Sequence, residues 1–308
     1  MMRPASSWVS FARLLGLLLP LILIGSNTPV ATGSEQEAKL GGPLVNDTVR
    51  ANDWGSAGRV VGGDSWCQAQ VPSDSWSVAC RGGLRVKVLT YNLFWWNLFN
   101  LRGGQGQSSG KLIAASGWPE PYDVMGFQEC DDVARVVTDA GLHLQYAMLQ
   151  GPYALGMAYR LAAWELISKG SDDIAEDRGD QWYGKRAVQW ARLKSRESGR
   201  ILFFVNHHGP LPLSTGGKCG GEATAFNMMK IIAERSLPED DILLVGDFNA
   251  VSDSPTVQLL SQRLHRIFSG ASHGGVDHIF SSCSGADGTW NLGPGGSDHD
   301  ALSSILQA

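Results

Sequence analysis

Two short polar clusters constrain the fold of this chain more than any other feature. Residues 246–249 (GDFN) and 297–300 (SDHD) each lie at the end of an apolar run, about fifty residues apart. In layered folds, the loops at one edge of the sheets collect the polar side chains that follow the strands. The pattern therefore predicts a compact fold in which distant strands end at a common edge and these clusters meet there.

The composition indicates a globular protein with an acidic balance. The chain has 308 residues, enough for one large domain or two small ones, and is 43% hydrophobic and 18% charged, which excludes a disordered chain. Its net charge of -5 argues against a protein that coats nucleic acid by electrostatics alone. It does not exclude chemistry on nucleic acid, because a bound divalent cation supplies local positive charge.

The amino terminus has the pattern of a secretory signal. Two arginines precede an apolar run at residues 14–24, which is too short to span a bilayer comfortably and is typical of a signal-peptide core. We expect a signal peptide over residues 1–30, followed by a Gly/Ser-rich arm at 31–83. The chain is then secreted or resides in the lumen of the secretory pathway; the alternative is an uncleaved signal anchor in a membrane.

A secreted chain gives the five cysteines a role as disulfide partners. Cys67 and Cys80 bracket a short polar loop in the arm, so we expect a Cys67–Cys80 disulfide. Only two of Cys130, Cys219 and Cys283 can then pair, and Cys130 with Cys219 is preferred because both follow predicted strand ends. One free thiol remains.

From residue 84 onward, short apolar runs alternate with helical patterns, so we expect one main domain over residues 84–308. Many strands with a few helices between them predict two packed sheets flanked by helices. The predicted strands end at residues 92, 127, 149, 159, 168, 194, 206, 245, 281 and 306, and the predicted helices cover 111–116, 131–140, 222–235 and 254–264.

The polar residues at these strand ends suit phosphate-ester hydrolysis. Asn92, Glu129 and Asp298 form an oxygen-donor set suited to Mg²⁺, with Mn²⁺ or Ca²⁺ as alternatives. Hydrolysis also needs a base for water and an acid for the leaving oxygen, and two histidines supply both near neutral pH. A carboxylate fixes the tautomer of a base histidine, and Asp277 is the candidate.

Six motifs in one order resemble those of the endonuclease/exonuclease/phosphatase superfamily. They lie at residues 89–92 (LTYN), 126–129 (GFQE), 206–208 (NHH), 246–249 (GDFN), 275–279 (GVDHI) and 297–299 (SDH). The resemblance covers about 220 residues, from residue 84 to the carboxyl terminus. It implies an α+β fold, the four-layer αββα sandwich of the deoxyribonuclease I-like type.

The resemblance also implies a role for each site residue. Asn92 and Glu129 would hold the metal, with Asp298 supporting the metal or the base. Five residues would form the catalytic set: His208 as the acid or the histidine on the leaving side of the phosphate, Asp247 orienting the nucleophile, Asn249 bonding the phosphate, and Asp277 paired with His299, the general base. Turn-forming roles for Asn92, Asp247 and Asn249 remain as alternatives.

Two details of the acid side remain open. Strand alternation puts Asn206 and His208 on one face and His207 on the other, so we choose His208 over His207. Lys185 and Arg186 either contact phosphate or form a solvated strand entry. The carboxylate that would partner His208 is not identified, although three acidic residues lie in a suitable region: Asp172, Asp173 and Glu176.

The sequence leaves the substrate open between nucleic acid and phospholipid. We place an endonuclease-like phosphodiesterase first, and a sphingomyelinase-like or inositol-phosphate phosphoesterase second. Segment 93–110 combines an aromatic cluster with a glycine-rich loop that could stack on bases or enter a lipid surface, whereas core packing is the favoured role of its aromatic residues. A catalytically silent binding module on the same fold is the alternative from another class. No dedicated protein partner is inferred, and we expect a monomer.

Overall fold

A computed structural model describes residues 67, 78, 80–94, 108–181 and 183–308. The chain divides into two units, Met1–Asp53 and Trp54–Ala308, and every described residue belongs to the second. The predicted signal peptide, most of the predicted arm and residues 95–107, which hold most of the aromatic cluster of segment 93–110, lie outside the described residues. Within the described part of the chain, no helix has both the length and the apolar character needed to cross a membrane.

Twelve strands and four helices make up the described part of the domain. The strands are β1 Arg85–Asn92, β2 Val124–Gln128, β3 Tyr146–Gln150, β4 Gly156–Arg160, β5 Trp164–Glu176, β6 Lys185–Ser195, β7 Ile201–His208, β8 Asp241–Asp247, β9 His265–Ser269, β10 Asp277–Ser281, β11 Gly285–Asn291 and β12 Leu302–Gln307. The helices are α1 Ser108–Ser116, α2 Val133–Asp139, α3 Gly221–Arg235 and α4 Pro255–Leu260. Short 3₁₀ turns lie at Gly217–Cys219 and Ser272–Gly274.

The strands form two six-stranded sheets with matching parallel pairs at their centres. The strand order is β11-β12-β1-β2-β4-β3 in the first sheet and β5-β6-β7-β8-β10-β9 in the second. β1 runs parallel to β2, and β7 runs parallel to β8. β10 is antiparallel to β8, so its amino end lies beside the carboxyl end of β8. The carboxyl ends of β1, β2, β7 and β8 and the amino end of β10 are thereby available to build a site.

Three hydrophobic clusters show that the sheets and helices form four layers. The cluster containing Val88 and Val245 draws on both sheets and lies between them. A second cluster packs α3 and α4 on the outer face of the second sheet, and a third packs α1 and α2 on the outer face of the first. The αββα sandwich expected from the sequence is confirmed.

β1 has apolar side chains on both of its faces, unlike a strand with one face in solvent. Val86 and Val88 pack between the sheets, whereas Leu89 and Tyr91 pack beneath the helices of the first sheet. Both faces of β1 are therefore buried, because helices cover its second face, and only Arg85 is exposed.

The disulfides differ from both predicted pairings. Cys67 bonds Cys219, and Cys80 bonds Cys283, across sequence separations of 152 and 203 residues. Cys130 is a free thiol, fully buried beneath α2. It packs on the first sheet, whereas Cys219 belongs to the turn that precedes α3 on the second sheet. The prediction favoured a short closed loop, but both arm cysteines instead bond to the main domain and close long loops.

Two buried histidines make the stability of the fold sensitive to acid. His207 donates through Nδ1–H to Ala187 O, and burial lowers its pKa to about 3. His278 bonds Ser269 Oγ and Ala250 O through its two ring nitrogens, and burial lowers its pKa to about 4. Because the unfolded chain binds protons at these rings below pH 6.5 and the folded protein does not, acid favours unfolding.

We therefore expect the free energy of unfolding to fall as the pH is lowered from 6.5 toward 4. Each buried histidine contributes a slope of up to about 1.4 kcal/mol per pH unit. Urea denaturation at several pH values should show a shallower slope for His207→Gln than for the wild type. His143→Gln, at an exposed position, is the control, and an equal change of slope in both variants would contradict this assignment.

Candidate active site

Strand register brings three predicted site residues into one row. His208, the last residue of β7, pairs with Asp247, the last residue of β8. Asp247 in turn pairs with Asp277, the first residue of β10. The first sheet contributes Asn92 at the end of β1, with Glu129 directly after β2. His299 arrives from the loop between β11 and β12.

Asp247 lies at the centre of this arrangement. Its Oδ2 accepts a hydrogen bond from Asn92 Nδ2 at 3.0 Å and lies 3.5 Å from His208 Nε2 and 3.6 Å from His299 Nε2. Its Oδ1 accepts the backbone N–H of Asn249 at 2.8 Å. Burial would raise the pKa of Asp247, but the hydrogen bond from His208 and the charge of His299 hold that pKa well below its usual range. Asp247 therefore stays ionised.

His299 is held by a carboxylate on each side. Its Nδ1 lies 2.9 Å from Asp277 Oδ2, while its Nε2 faces Asp247. Burial lowers the pKa of His299, but its hydrogen bond to Asp277 and the charges of Asp247, Asp277 and Asp298 outweigh burial and raise that pKa above its ordinary value. Burial also raises the pKa of Asp277. The predicted Asp277–His299 contact is present, and it fixes the orientation of the ring.

His208 is oriented by an arginine, not by a carboxylate. Its Nδ1 lies 3.1 Å from Arg186 Nη1. Arg186 also donates to both oxygens of Asp177 at 3.0 Å, and both residues are buried. Because a guanidinium only donates hydrogen bonds, Nδ1 of His208 accepts and its ring proton is on Nε2. The Nε2–H of His208 therefore points toward Asp247 and the site.

The carboxylates considered as partners of His208 bind elsewhere. Asp172 accepts from Trp190 Nε1, Asp173 pairs with Lys185, and Glu176 pairs with Lys218. Asp177, one residue beyond them, reaches His208 only through Arg186. Lys185 and Arg186 separate because neighbouring strand residues face opposite ways: Lys185 is the solvated residue, and Arg186 turns inward. The neighbouring basic residues Lys185 and Arg186 at the start of the strand were the only sequence signal for the contact between Arg186 and His208.

The loop after β8 is pinned to the end of β7. Asn249 lies at a φ of 48° and donates through Nδ2 to Gly209 O at 2.9 Å. A Cβ added at Gly209 would lie 1.8 Å from Phe248 O, so only glycine fits directly after His208. The hydrogen bond from Asn249 N to Asp247 Oδ1 is the Asx-type turn kept as an alternative. This turn places Asn249 at the site, and its bond to phosphate stays a prediction.

Asn92 and Glu129 form the side of the site that suits a cation. Asn92 Nδ2 lies 3.3 Å from Glu129 Oε1 as well as 3.0 Å from Asp247 Oδ2. One amide nitrogen thus lies between two carboxylates that converge from different sheets. The carboxylate oxygens of Glu129 and Asp247 match the ligand preference of Mg²⁺, Mn²⁺ and Ca²⁺. The amide oxygen of Asn92 accepts a hydrogen bond from Phe94 N at 2.9 Å, so its binding to a cation stays a prediction. The residues present therefore fit the divalent cation expected from the sequence.

Asp298 lies on the solvent side of His299. Its Oδ2 is 3.6 Å from His273 Nε2, and both side chains are about two-fifths exposed, at 43% and 40%. Two groups of side chains in the described residues have the spacing to hold a metal ion: Asp247 with Asp277 and His299, and His273 with Asp298 and His299. The role of Asp298 beside Asn92 and Glu129 stays a prediction. His273, which no sequence motif singles out, lies beside the site.

Comparison with known proteins agrees with this geometry. The model of the endonuclease/exonuclease/phosphatase family matches residues 95–299. The chain belongs to this family. Members of the family are hydrolases that act on phosphoester bonds. No curated protein matches the sequence significantly.

Solved structures of this family share the fold of the chain at low sequence identity. An endonuclease/exonuclease/phosphatase family protein from Bacteroides thetaiotaomicron is 19% identical with a TM-score of 0.55, covering 72% of this chain and 97% of that one. A mannosyl-6-phosphatase from B. thetaiotaomicron is 19% identical with a TM-score of 0.56, covering 72% and 99%. TDP2 from D. rerio, complexed with a single-strand DNA product, is 14% identical with a TM-score of 0.51, covering 73% and 100%. These likenesses show the fold.

Breaking the Asp177–Arg186 pair should destabilise the protein strongly. In Arg186→Met, the buried Asp177 carboxylate loses its charged partner, which costs about 3–5 kcal/mol. Lys185→Met, at the next position, removes an exposed pair with Asp173 and should change stability far less. Urea denaturation at pH 7 measures both, and equal losses in the two variants would contradict a structural role for the buried pair.

Proposed function

We propose that this chain is a secreted, divalent-cation-dependent phosphodiesterase, endonuclease-like, that hydrolyses its substrate with a histidine-activated water. The observation that carries this proposal is the placement of Asp247 between two imidazoles and the amide of Asn92. Hydrolysis of a phosphodiester needs a proton acceptor, a donor on the leaving side and positive charge near the phosphate. Side chains suited to each requirement surround one buried carboxylate.

Glu129 and Asn92 would hold the cation, with Asp298 as a further predicted ligand. When bound, Mg²⁺ would offset the charge on the phosphate oxygens and, being positive, would favour the neutral form of His299. The second effect matters because three carboxylates otherwise favour the charged ring. The oxygen donors favour Mg²⁺, and Mn²⁺ or Ca²⁺ are alternatives with the same chemistry.

His299 acts as the general base. Its Nδ1 is engaged by Asp277, so Nε2 is the nitrogen that takes a proton from water. Asp277 stabilises the imidazolium that forms, and Asp247 orients the water from the other side of the ring. The water oxygen then bonds phosphorus as the bond to the leaving oxygen breaks.

His208 acts on the leaving side as a hydrogen-bond donor. Because Arg186 occupies its Nδ1, release of the Nε2 proton would leave an imidazolate beside a guanidinium, which is unfavourable. We therefore infer that His208 stabilises the leaving oxygen by a hydrogen bond and that solvent supplies the proton. Asn249, which bonds Gly209 O through Nδ2, would hydrogen-bond a non-bridging oxygen of the phosphate.

Secretion is part of the same proposal. The apolar run at residues 14–24 and the two disulfides, Cys67–Cys219 and Cys80–Cys283, both suit an oxidising compartment. The convergence of the expected side chains weighs against the silent binding module. Sphingomyelin and inositol phosphates remain as alternative substrates, and the experiment below distinguishes them.

The decisive experiment offers several phosphoesters to the purified protein in parallel. Plasmid DNA, bis(4-nitrophenyl) phosphate, sphingomyelin vesicles and an inositol phosphate are incubated with magnesium or with EDTA. We expect cleavage of DNA and of the model diester that EDTA abolishes. His299→Ala should lower kcat/KM by about a thousandfold or more, because it removes the base.

The control is His143→Ala, at an exposed position before β3, whose amino end lies beside the carboxyl end of β4. It should retain wild-type activity, and the unfolding midpoints of all variants should be measured together. Wild-type activity in His299→Ala would overturn the mechanism. Cleavage of sphingomyelin or of the inositol phosphate alone would move the substrate to that class, and no cleavage of any substrate would favour the silent module.

A further inference from the structure

A second cluster of metal-binding side chains lies on the outer side of the proposed base. His273, Asp298 and His299 each offer a ligand atom within 4.8 Å of the others. The rings of His273 and His299 have centroids 4.5 Å apart and are tilted by 40°. His273 Nε2 lies 3.6 Å from Asp298 Oδ2. None of these contacts is needed for the hydrolysis described above.

Hydrogen bonds hold the two loops that carry this cluster against each other. Asp300 N donates to Ser272 Oγ at 2.8 Å, which ties the loop before β12 to the turn before β10. Gly275 N donates to Ser272 O at 2.8 Å and closes that turn around His273. The cluster is therefore assembled in the folded protein before any ion arrives, although its outer side chains remain accessible.

The donors suit zinc better than magnesium. Two imidazoles and one carboxylate are typical zinc ligands, whereas Mg²⁺ prefers oxygen. Zinc holds its ligands at about 2.0–2.2 Å, so the side chains must approach slightly, and the exposure of His273 and Asp298 leaves them free to do so. The carboxylate of Asp277 on His299 Nδ1 is the outer contact that usually orients a metal-binding histidine.

We propose that His273, Asp298 and His299 bind a zinc-class dication, and that its binding inhibits the enzyme. Whichever nitrogen of His299 binds the ion, the base is lost. Binding at Nε2 occupies the lone pair that would accept the proton from water, and binding at Nδ1 displaces Asp277. Zinc binding stands on the geometry alone, whereas inhibition rests on the proposed function.

Binding can be measured without any assay of activity. Tag-free protein, stripped with EDTA and transferred to magnesium buffer, is titrated with Zn²⁺ in competition with a chromophoric chelator. We expect one competing site per chain, weakened at least tenfold in His273→Ala. His265→Ala is the matched control, since His265 is an exposed histidine on the neighbouring strand β9 outside the cluster. Equal affinity in wild type and His273→Ala would overturn the site, because zinc at Asp247, Asp277 and His299 would not need His273.

Inhibition is measured on the model diester at saturating magnesium. Zn²⁺ should inhibit the wild type and His265→Ala at the same concentration and His273→Ala only at tenfold higher concentration or more, with zinc-free rates unchanged. His273-dependent binding with no inhibition would overturn the inhibitory role and leave the site. If no phosphoester is cleaved at all, the proposed function fails, and the chelator titration still decides whether the site exists.

Discussion

The site depends on one buried carboxylate that several strands are built to surround. Asp247 is 1% exposed, at the end of β8, and its two oxygens contact side chains or backbone from β1, β7, the loop after β8 and the loop before β12. A buried charge is tolerated only when it is paired and hydrogen-bonded. Because every partner of Asp247 is itself a predicted site residue, the requirement that stabilises the carboxylate also assembles the site.

The two histidines beside Asp247 have opposite second partners, and this difference supports the different roles proposed for them. Asp277 engages His299 and favours its charged form, whereas Arg186 engages His208 and fixes the proton on Nε2. The strand register that sets His208, Asp247 and Asp277 in a row cannot by itself distinguish the two rings. The two rings differ in the strand that supplies their second partner: β10 supplies Asp277 for His299, and β6 supplies Arg186 for His208.

Much of this site could be predicted because it depends on local patterns. Strand alternation correctly set His207 apart from His208, and the polar residues that end β1, β2, β7 and β8 meet as expected. Contacts between distant segments could not be predicted. The Asp177–Arg186 pair depends on the β5–β6 pairing. The second half of β5 is a polar run without the alternation typical of a strand, and it is extended because β6 supplies its hydrogen bonds. β11, exposed along its length and containing two glycines, gave no signal at all. The disulfides join cysteines too far apart in sequence for spacing to identify.

The most direct test of this account is the kcat/KM of Asp247→Asn for a phosphodiester, measured in magnesium at neutral pH beside the wild type. The substitution keeps the shape of the side chain and removes the charge that holds both rings and the amide of Asn92. The account predicts a loss of about a hundredfold or more in kcat/KM, with the unfolding midpoint lowered because the folded protein stabilises the ionised form of Asp247. Activity within threefold of the wild type in a folded Asp247→Asn variant would contradict the central role of this carboxylate.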